Sequence, residues 1–183
     1  MKLITKRLIL RDIQLKDAES IRKNINNLNI SKYLLSVAYP YKKSDAKWWV
    51  NHCKEQQKQK PRTSYELGII IKPNNKIVGG VGLSSINRKQ KKADIGYWIA
   101  EPYWRKGYVS EAVEKLINFA FNKLGIEKIV IPAFVENKGS NALIKKIGGK
   151  FIKIKKKAVK AKSTGKTHDE SIYWILKSEW KRG

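Results

Sequence analysis

The chemistry in this chain concentrates where a strand-like stretch meets a helix. The segment Gly96-Tyr97-Trp98-Ile99-Ala100-Glu101-Pro102-Tyr103-Trp104-Arg105-Lys106-Gly107-Tyr108-Val109-Ser110-Glu111-Ala112 passes through a short loop carrying two cations and a glycine. The first N–H groups of a helix have no partner inside it, and its aligned peptide dipoles put partial positive charge at that end. Such a junction binds anions. Gly107 lets the backbone approach an anion closely or take a positive φ, and Arg105 and Lys106 add formal charge. A pyrophosphate suits these features better than a single carboxylate. Two other phosphate loops are excluded by spacing: no G-x-G-x-x-G opens a helix near the first strand, and no G-x-x-x-x-G-K-[ST] occurs.

The remaining reactive side chains are few. Cys53 is the one cysteine, which excludes a disulfide framework and a multi-cysteine zinc site. His52 and His168 are the only imidazoles, so no metal site is expected. His168 has the pKa range that suits proton transfer near neutrality.

Positioning these groups requires a folded unit, and the composition supplies one. The chain has 183 residues, 42% hydrophobic with six Trp, which is enough for a single domain spanning 1–183. Its longest apolar runs, such as Ile77–Leu83, are far short of the roughly 20 residues a membrane helix needs. The opening Met1-Lys2-Leu3-Ile4-Thr5-Lys6-Arg7 is too charged for a signal peptide core, so a soluble, cytoplasmic protein is expected.

Leu3–Ile13 alternates and predicts a first strand, followed by a helix over Asp12–Asn24. A helix is predicted over Lys42–Gln57, with Ser44 as N-cap and Trp48 and Trp49 on its inner side. Tyr65–Ile71 and Ile77–Ser84 read as a hairpin around Pro73-Asn74-Asn75, and Asp94–Ala100 and Lys128–Val135 as further strands. Ser110–Leu124 carries Ala112, Val113, Leu116, Ile117, Ala120 and Phe121 at helical spacing, with Gly125 past its end. A helix over Ser140–Ile147 and strands over Lys150–Lys157 and Ser171–Leu176 complete an α/β order with a mixed sheet. Pro132 cannot donate to a ladder, as in a strand that either lies at an edge or splays from its neighbour.

The stretch from Asp94 to Ala112 resembles the central motif of the GNAT acetyltransferase superfamily. It is most similar to the RimJ/RimL branch, which acetylates protein N-termini, ribosomal proteins among them. Thr5–Arg11, Ile77–Leu83, Asn137 with Ser140-Asn141-Ala142 and Lys146-Ile147-Gly148, and the closing His168 to Trp180 match the same branch in the same order. The resemblance implies a mostly antiparallel central sheet with flanking helices. Acetyl-CoA would lie in a V-shaped gap between a splayed fourth and fifth strand. Pantetheine would run along Trp98, Ile99, Ala100 and Glu101, and the pyrophosphate would sit on the amides of Arg105, Lys106, Gly107, Tyr108 and Val109, flanked by Trp104 and Ser110. The family usually has Gly at the position of Arg105 and Gly or Ala at Val109, so a bulky Val109 is expected to crowd the phosphates.

Amine acetylation needs a neutral amine, proximity to the thioester, an oxyanion donor and a proton for the leaving thiolate. Backbone N–H groups near Ile99 could serve the oxyanion. The resemblance gives Ser140 the leaving sulfur; on its own spacing Ser140 reads equally as a helix N-cap. Asn137 would bond pantetheine or serve a turn. The glutamate that RimL-like enzymes use as base has no counterpart, because Lys160 and Lys162 occupy that loop. Glu66, Asp94, His168 and Asp169 remain, with Asp94 and His168 as the expected catalytic pair.

Lys+Arg number 40 and Asp+Glu 15, a net charge of +25. Eleven lysines and no acid fall between Asn137 and His168. Such charge attracts polyanions and repels cations. The expected acceptor is therefore a protein N-terminus that is neutral, acidic or carried on a ribonucleoprotein, on a monomer or homodimer, with direct nucleic-acid contact open. A small-molecule amine acetyltransferase and a non-enzymatic nucleic-acid-binding module are the alternatives; the second lacks a stacking platform for single strands.

Overall fold

The structure, a computed structural model, describes residues 1–181. Eight strands form one sheet in the order β1-β2-β3-β4-β5-β6-β8-β7. They are β1 (Lys2–Ile4), β2 (Leu8–Asp12), β3 (Tyr65–Ile71), β4 (Ile77–Asn87), β5 (Lys92–Ile99), β6 (Lys128–Phe134), β7 (Lys150–Lys160) and β8 (Thr167–Leu176). The helices are α1 (Ala18–Ile25), α2 (Leu28–Ser31), α3 (Lys43–Lys58), α4 (Tyr108–Lys123) and α5 (Lys138–Lys146). Every neighbouring pair is antiparallel except β5–β6, which is parallel and linked through α4.

Period-2 alternation in the central strands serves two cores. Leu8, Leu10, Leu67, Ile69, Val81, Leu83 and Ile95 face α4, whose Ala112, Val113, Leu116, Ile117 and Ala120 have no exposed surface. The opposite face packs Ile70 and Ile77 on α1 and α3 through Ile21, Ile25, Val50 and Cys53. Gly125 ends α4 with φ +68°, and Ile126 N–H reaches back to the Ala120 carbonyl at 3.2 Å, closing the last turn.

The predicted bounds shift for local reasons. The stretch 3–13 splits in two: Thr5 Oγ1 accepts the Leu8 N–H at 2.8 Å, and the turn it makes folds β1 back on β2. The helix expected from Asp12 starts at Ala18, because Asp12 still pairs in β2 with Leu67. Buried Asp17 accepts both Arg11 Nη atoms at 2.6 and 2.8 Å before that helix begins. Lys42, rather than Ser44, caps α3, its N–H taken by Asp45 at 2.8 Å. Trp48 lies outward, 64% exposed, and only Trp49 turns toward the protein. The β7–β8 hairpin is longer than predicted at both ends of its turn.

The sheet opens between β5 and β6. Their pairing covers Lys92↔Lys128, Ala93↔Ile129 and Asp94↔Val130 and then stops, while β5 stays on β4 as far as Ile99 and β6 stays on β8 as far as Phe134. This is the splayed fourth and fifth pair of the sequence reading, counted here as fifth and sixth because the first strand is two. Alternation in the β4–β5 ladder, marked by Ala100 N–H to the Val78 carbonyl at 2.9 Å, turns the backbone groups of Tyr97 and Ile99 to the gap. The same alternation across β5–β6 puts the nitrogen of Pro132 on the gap side, where no ladder asks for an N–H.

Candidate active site

The loop before α4 is shaped by two left-handed residues, Arg105 (φ +58°) and Gly107 (φ +76°), the second being the helix N-cap. Successive N–H groups bracketing such residues converge into a concave nest that suits an anion. Among the described residues, the N–H groups of Arg105 to Val109 donate to nothing outside the helix. The nest is held from behind. Arg7 Nη1 donates to the Lys106 carbonyl at 2.9 Å, its Nε to Glu111 at 2.7 Å, and its guanidinium lies 4.6 Å from the centre of the Tyr108 ring. Glu111 also accepts Thr5 Oγ1 and Arg7 N–H. Although burial raises the Glu111 pKa, these bonds together bring it below the usual value. Val109 is buried against the α4 core, so its side chain points away from the nest and the expected crowding does not arise.

Of the residues expected along pantetheine, Trp98 and Ala100 give their backbone groups to β4, and Tyr97 and Ile99 give theirs to the gap. The Ile99 carbonyl accepts the Trp104 indole N–H at 2.9 Å, while the N–H groups of Tyr97 and Ile99 face the gap. Across the gap, Asn137 caps α5: its Oδ1 accepts the Ser140 N–H at 3.1 Å. Ser140 is therefore inside the first turn rather than the cap, and its hydroxyl is free to bond Tyr97 Oη at 2.8 Å. Burial pushes the Tyr97 phenol up to about 12, so it stays protonated at neutral pH. Asn141 braces this corner, donating to the Phe134 carbonyl at 2.9 Å and accepting from Tyr173 Oη at 2.8 Å.

On the opposite face of the sheet a cavity of about 220 Å³ lies over β3, β4 and β5. Its floor is Gly80, Gly82 and Gly96; a Cβ at Gly80 would overlap the Trp98 indole, and one at Gly82 would overlap the Glu66 carboxylate. Above Gly96 there is open space. Tyr41, Trp49 and Trp98 form its walls, and Leu35, Trp48 and Lys162 stand at its mouth. The hairpin tip is docked there by Lys162 N–H to the Leu35 carbonyl (3.0 Å) and Ser163 Oγ to the Ser31 carbonyl (2.9 Å). Tyr97 lines this cavity as well as bonding Ser140 on the gap. Glu66 lines it too, and burial lifts its carboxyl to about 7.

Asp94 and His168 do not line this cavity. Asp94 marks the root of the gap, at the last β5–β6 pair, and its buried Oδ1 has no partner among the described residues. His168 lies flat on Phe134, ring centres 4.5 Å apart, with Nδ1 3.3 Å from Glu136. Asp169 is tied to Lys157 N–H and Lys156 Nζ, and these bonds lower its pKa. Sequence reasoning gave Tyr97 no role, because its partner is 43 residues away. Most lysines of the β7–β8 hairpin, among them Lys153, Lys155, Lys160 and Lys166, are solvent-exposed. No described helix is long and apolar enough to cross a membrane.

Comparison with known proteins agrees with this geometry. The acetyltransferase (GNAT) domain model matches residues 7–150. YdaF of Bacillus subtilis strain 168, provisionally named a ribosomal N-acetyltransferase, is 28% identical over 184 residues, covering 97% of this chain and 95% of its own. The microcin C7 self-immunity acetyltransferase MccE, solved with acetyl-CoA and AMP, is 28% identical with a TM-score of 0.80, covering 94% of this chain and 93% of its own. RimL, a ribosomal α-N-protein acetyltransferase, shares the fold with a TM-score of 0.83 at 20% identity, over 95% of this chain and 92% of its own. The family uses acetyl-CoA, and the free amides of the Arg105–Val109 nest fit its pyrophosphate. The chain belongs to the GNAT acetyltransferase family and is an acetyl-CoA-dependent N-acetyltransferase.

Proposed function

We propose that the acceptor is the N-terminal α-amine of a protein and that the acetyl group passes to it directly, with both substrates bound. The observation that carries this reading is the meeting of two sites through one opened sheet. A phosphate-shaped nest and an unpaired strand edge lie on one side, a small glycine-floored socket on the other, and Tyr97 belongs to both. The cavity, about 220 Å³ and open at its mouth, has room for a chain end entering over the sheet.

In this reading the amides of Arg105, Lys106, Gly107, Tyr108 and Val109, at the start of a helix that continues through Ser110, hold the pyrophosphate, with the two cations adding charge. Trp104 fixes the Ile99 edge, whose N–H, with Asn137 across the gap, aligns the pantetheine arm. Acetyl-CoA supplies an activated acyl group on a thiol leaving group. Tyr97 and Ser140 hold a proton between their two oxygens for the departing sulfur. The name of YdaF supports a ribosomal acceptor, and the lysine-rich hairpin beside the mouth supports acceptors that are acidic or carried on RNA.

A small-molecule amine is the second reading, favoured by the likeness to MccE, whose structure holds AMP with acetyl-CoA. Thiol release from acetyl-CoA separates them. Turnover with peptides opening on Ala or Ser, and little with free amino acids or nucleotide amines, is the expected result; the reverse order supports the second reading.

A further inference from the structure

We infer that Glu66 is the group that takes the proton from the incoming amine. This rests on the N-acetyltransferase reading above and adds the base that the chain's sequence leaves undecided.

Geometry gives the first support. Glu66, on β3, stands directly across from Gly82 on β4, which in turn faces Gly96 on β5. Gly82 has no Cβ because the carboxylate occupies that space, and Gly96 leaves the room beside it empty. Two bare strand positions thus form a channel over the sheet from the Glu66 carboxylate to the β5 backbone at Tyr97, beside the gap. Among the carboxylates of the described residues, Glu66 and Asp45 alone line the cavity, and Asp45 is engaged in closing the start of α3 through Lys42 N–H.

The surroundings give the second. α3 presents Asp45 and the Cys53 thiol, which burial keeps protonated. The strap before α3 presents Tyr41, held up to about 12 by burial, and the hairpin tip presents Lys162 at the mouth, while β5 turns the Tyr97 phenol to the other face of the sheet. No hydrogen bond or ion pair holds the Glu66 carboxylate among the described residues, and its elevation to about 7 comes from burial alone. An α-amine has a pKa of about 8 and a lysine of about 10.4. Transfer of a proton to Glu66 is therefore uphill by about one unit from an α-amine and by more than three from lysine. The step is balanced: the ammonium N–H bond breaks, the proton passes to a Glu66 oxygen, and the nitrogen lone pair is freed for the acyl carbon.

The test is the pH dependence of kcat/KM with an Ala- or Ser-opening peptide, for the wild type, Glu66→Gln and Gly82→Ala. The wild type should show a limb near pH 7. Glu66→Gln should lose about 10²- to 10⁴-fold in rate and lose that limb, while its acetyl-CoA affinity stays unchanged. Gly82→Ala, which displaces the carboxylate and leaves it in the chain, should lower kcat and move the limb. Asp94→Asn and His168→Ala should keep the limb. A Glu66→Gln enzyme with the wild-type limb, or an Asp94→Asn enzyme without it, overturns the assignment. If only small amines are acetylated and Glu66→Gln still removes the limb, the N-terminal reading fails and the role of Glu66 stands.

Discussion

Replacing Glu66 by Gln should change stability in a way that depends on pH, and the structure sets both sign and size. The native carboxyl titrates at about 7 against an ordinary value of 4.5. Between those values the folded chain holds a proton that the unfolded chain has released. Folding stability therefore falls as pH rises through this window. The loss is 2.5 units at about 1.36 kcal/mol each, roughly 3 kcal/mol by pH 9. Glutamine has the same shape and no charge to desolvate, so Glu66→Gln should be near the wild type at pH 4 and about 3 kcal/mol more stable than it at pH 9. For a chain of this length that is a melting difference of roughly 6–12 °C. Urea unfolding of both proteins from pH 4 to pH 9 measures it, and other titrating groups cancel in the difference. A constant difference across that range would refute the claim that Glu66 sits desolvated and unpaired beneath the socket.

Three further outcomes follow from the same geometry. Gly107→Ala puts a side chain at φ +76°, with its Cβ 3.3 Å from Arg7 Nη2, and should cost about 1–2 kcal/mol as well as weaken acetyl-CoA binding by calorimetry. Tyr97→Phe and Ser140→Ala each break the one 2.8 Å bond, so the double variant should lose little more kcat than the worse single one; full additivity would place them in separate steps. Asp17→Ala strands the Arg11 guanidinium in a partly buried site and should cost about 3 kcal/mol in denaturant unfolding, with no change in KM at permissive temperature.

Features built from neighbouring residues were legible in the sequence. The α4 face repeats every three or four positions, and the helix start that makes the nest is a local matter of Arg105, Lys106 and Gly107. The gap was legible in part, through Pro132, but its starting point at Asp94↔Val130 is a register that only the folded sheet defines. Groups brought together across the fold were hidden. Tyr97 meets Ser140 because β5 and α5 face each other over the gap, and Glu66 gains its environment from a glycine on the next strand. Trp48 and Trp49 are adjacent, so a one-residue difference in helix phase decides which packs on the core and which stands exposed at the socket's mouth, and sequence alone assigned both inward. Ser140 and Asn137 compete for one capping position, and the bond of Asn137 Oδ1 to the Ser140 amide settles it in favour of Asn137.

Locating the acetyl group on product peptides tests the central claim most directly. The enzyme, acetyl-CoA and peptides opening on Ala, Ser or Met, each with an internal lysine, would be analysed by fragmentation mass spectrometry. The account predicts acetylation on the first residue's nitrogen with internal lysines unmodified. Acetyl groups confined to internal lysines would contradict it.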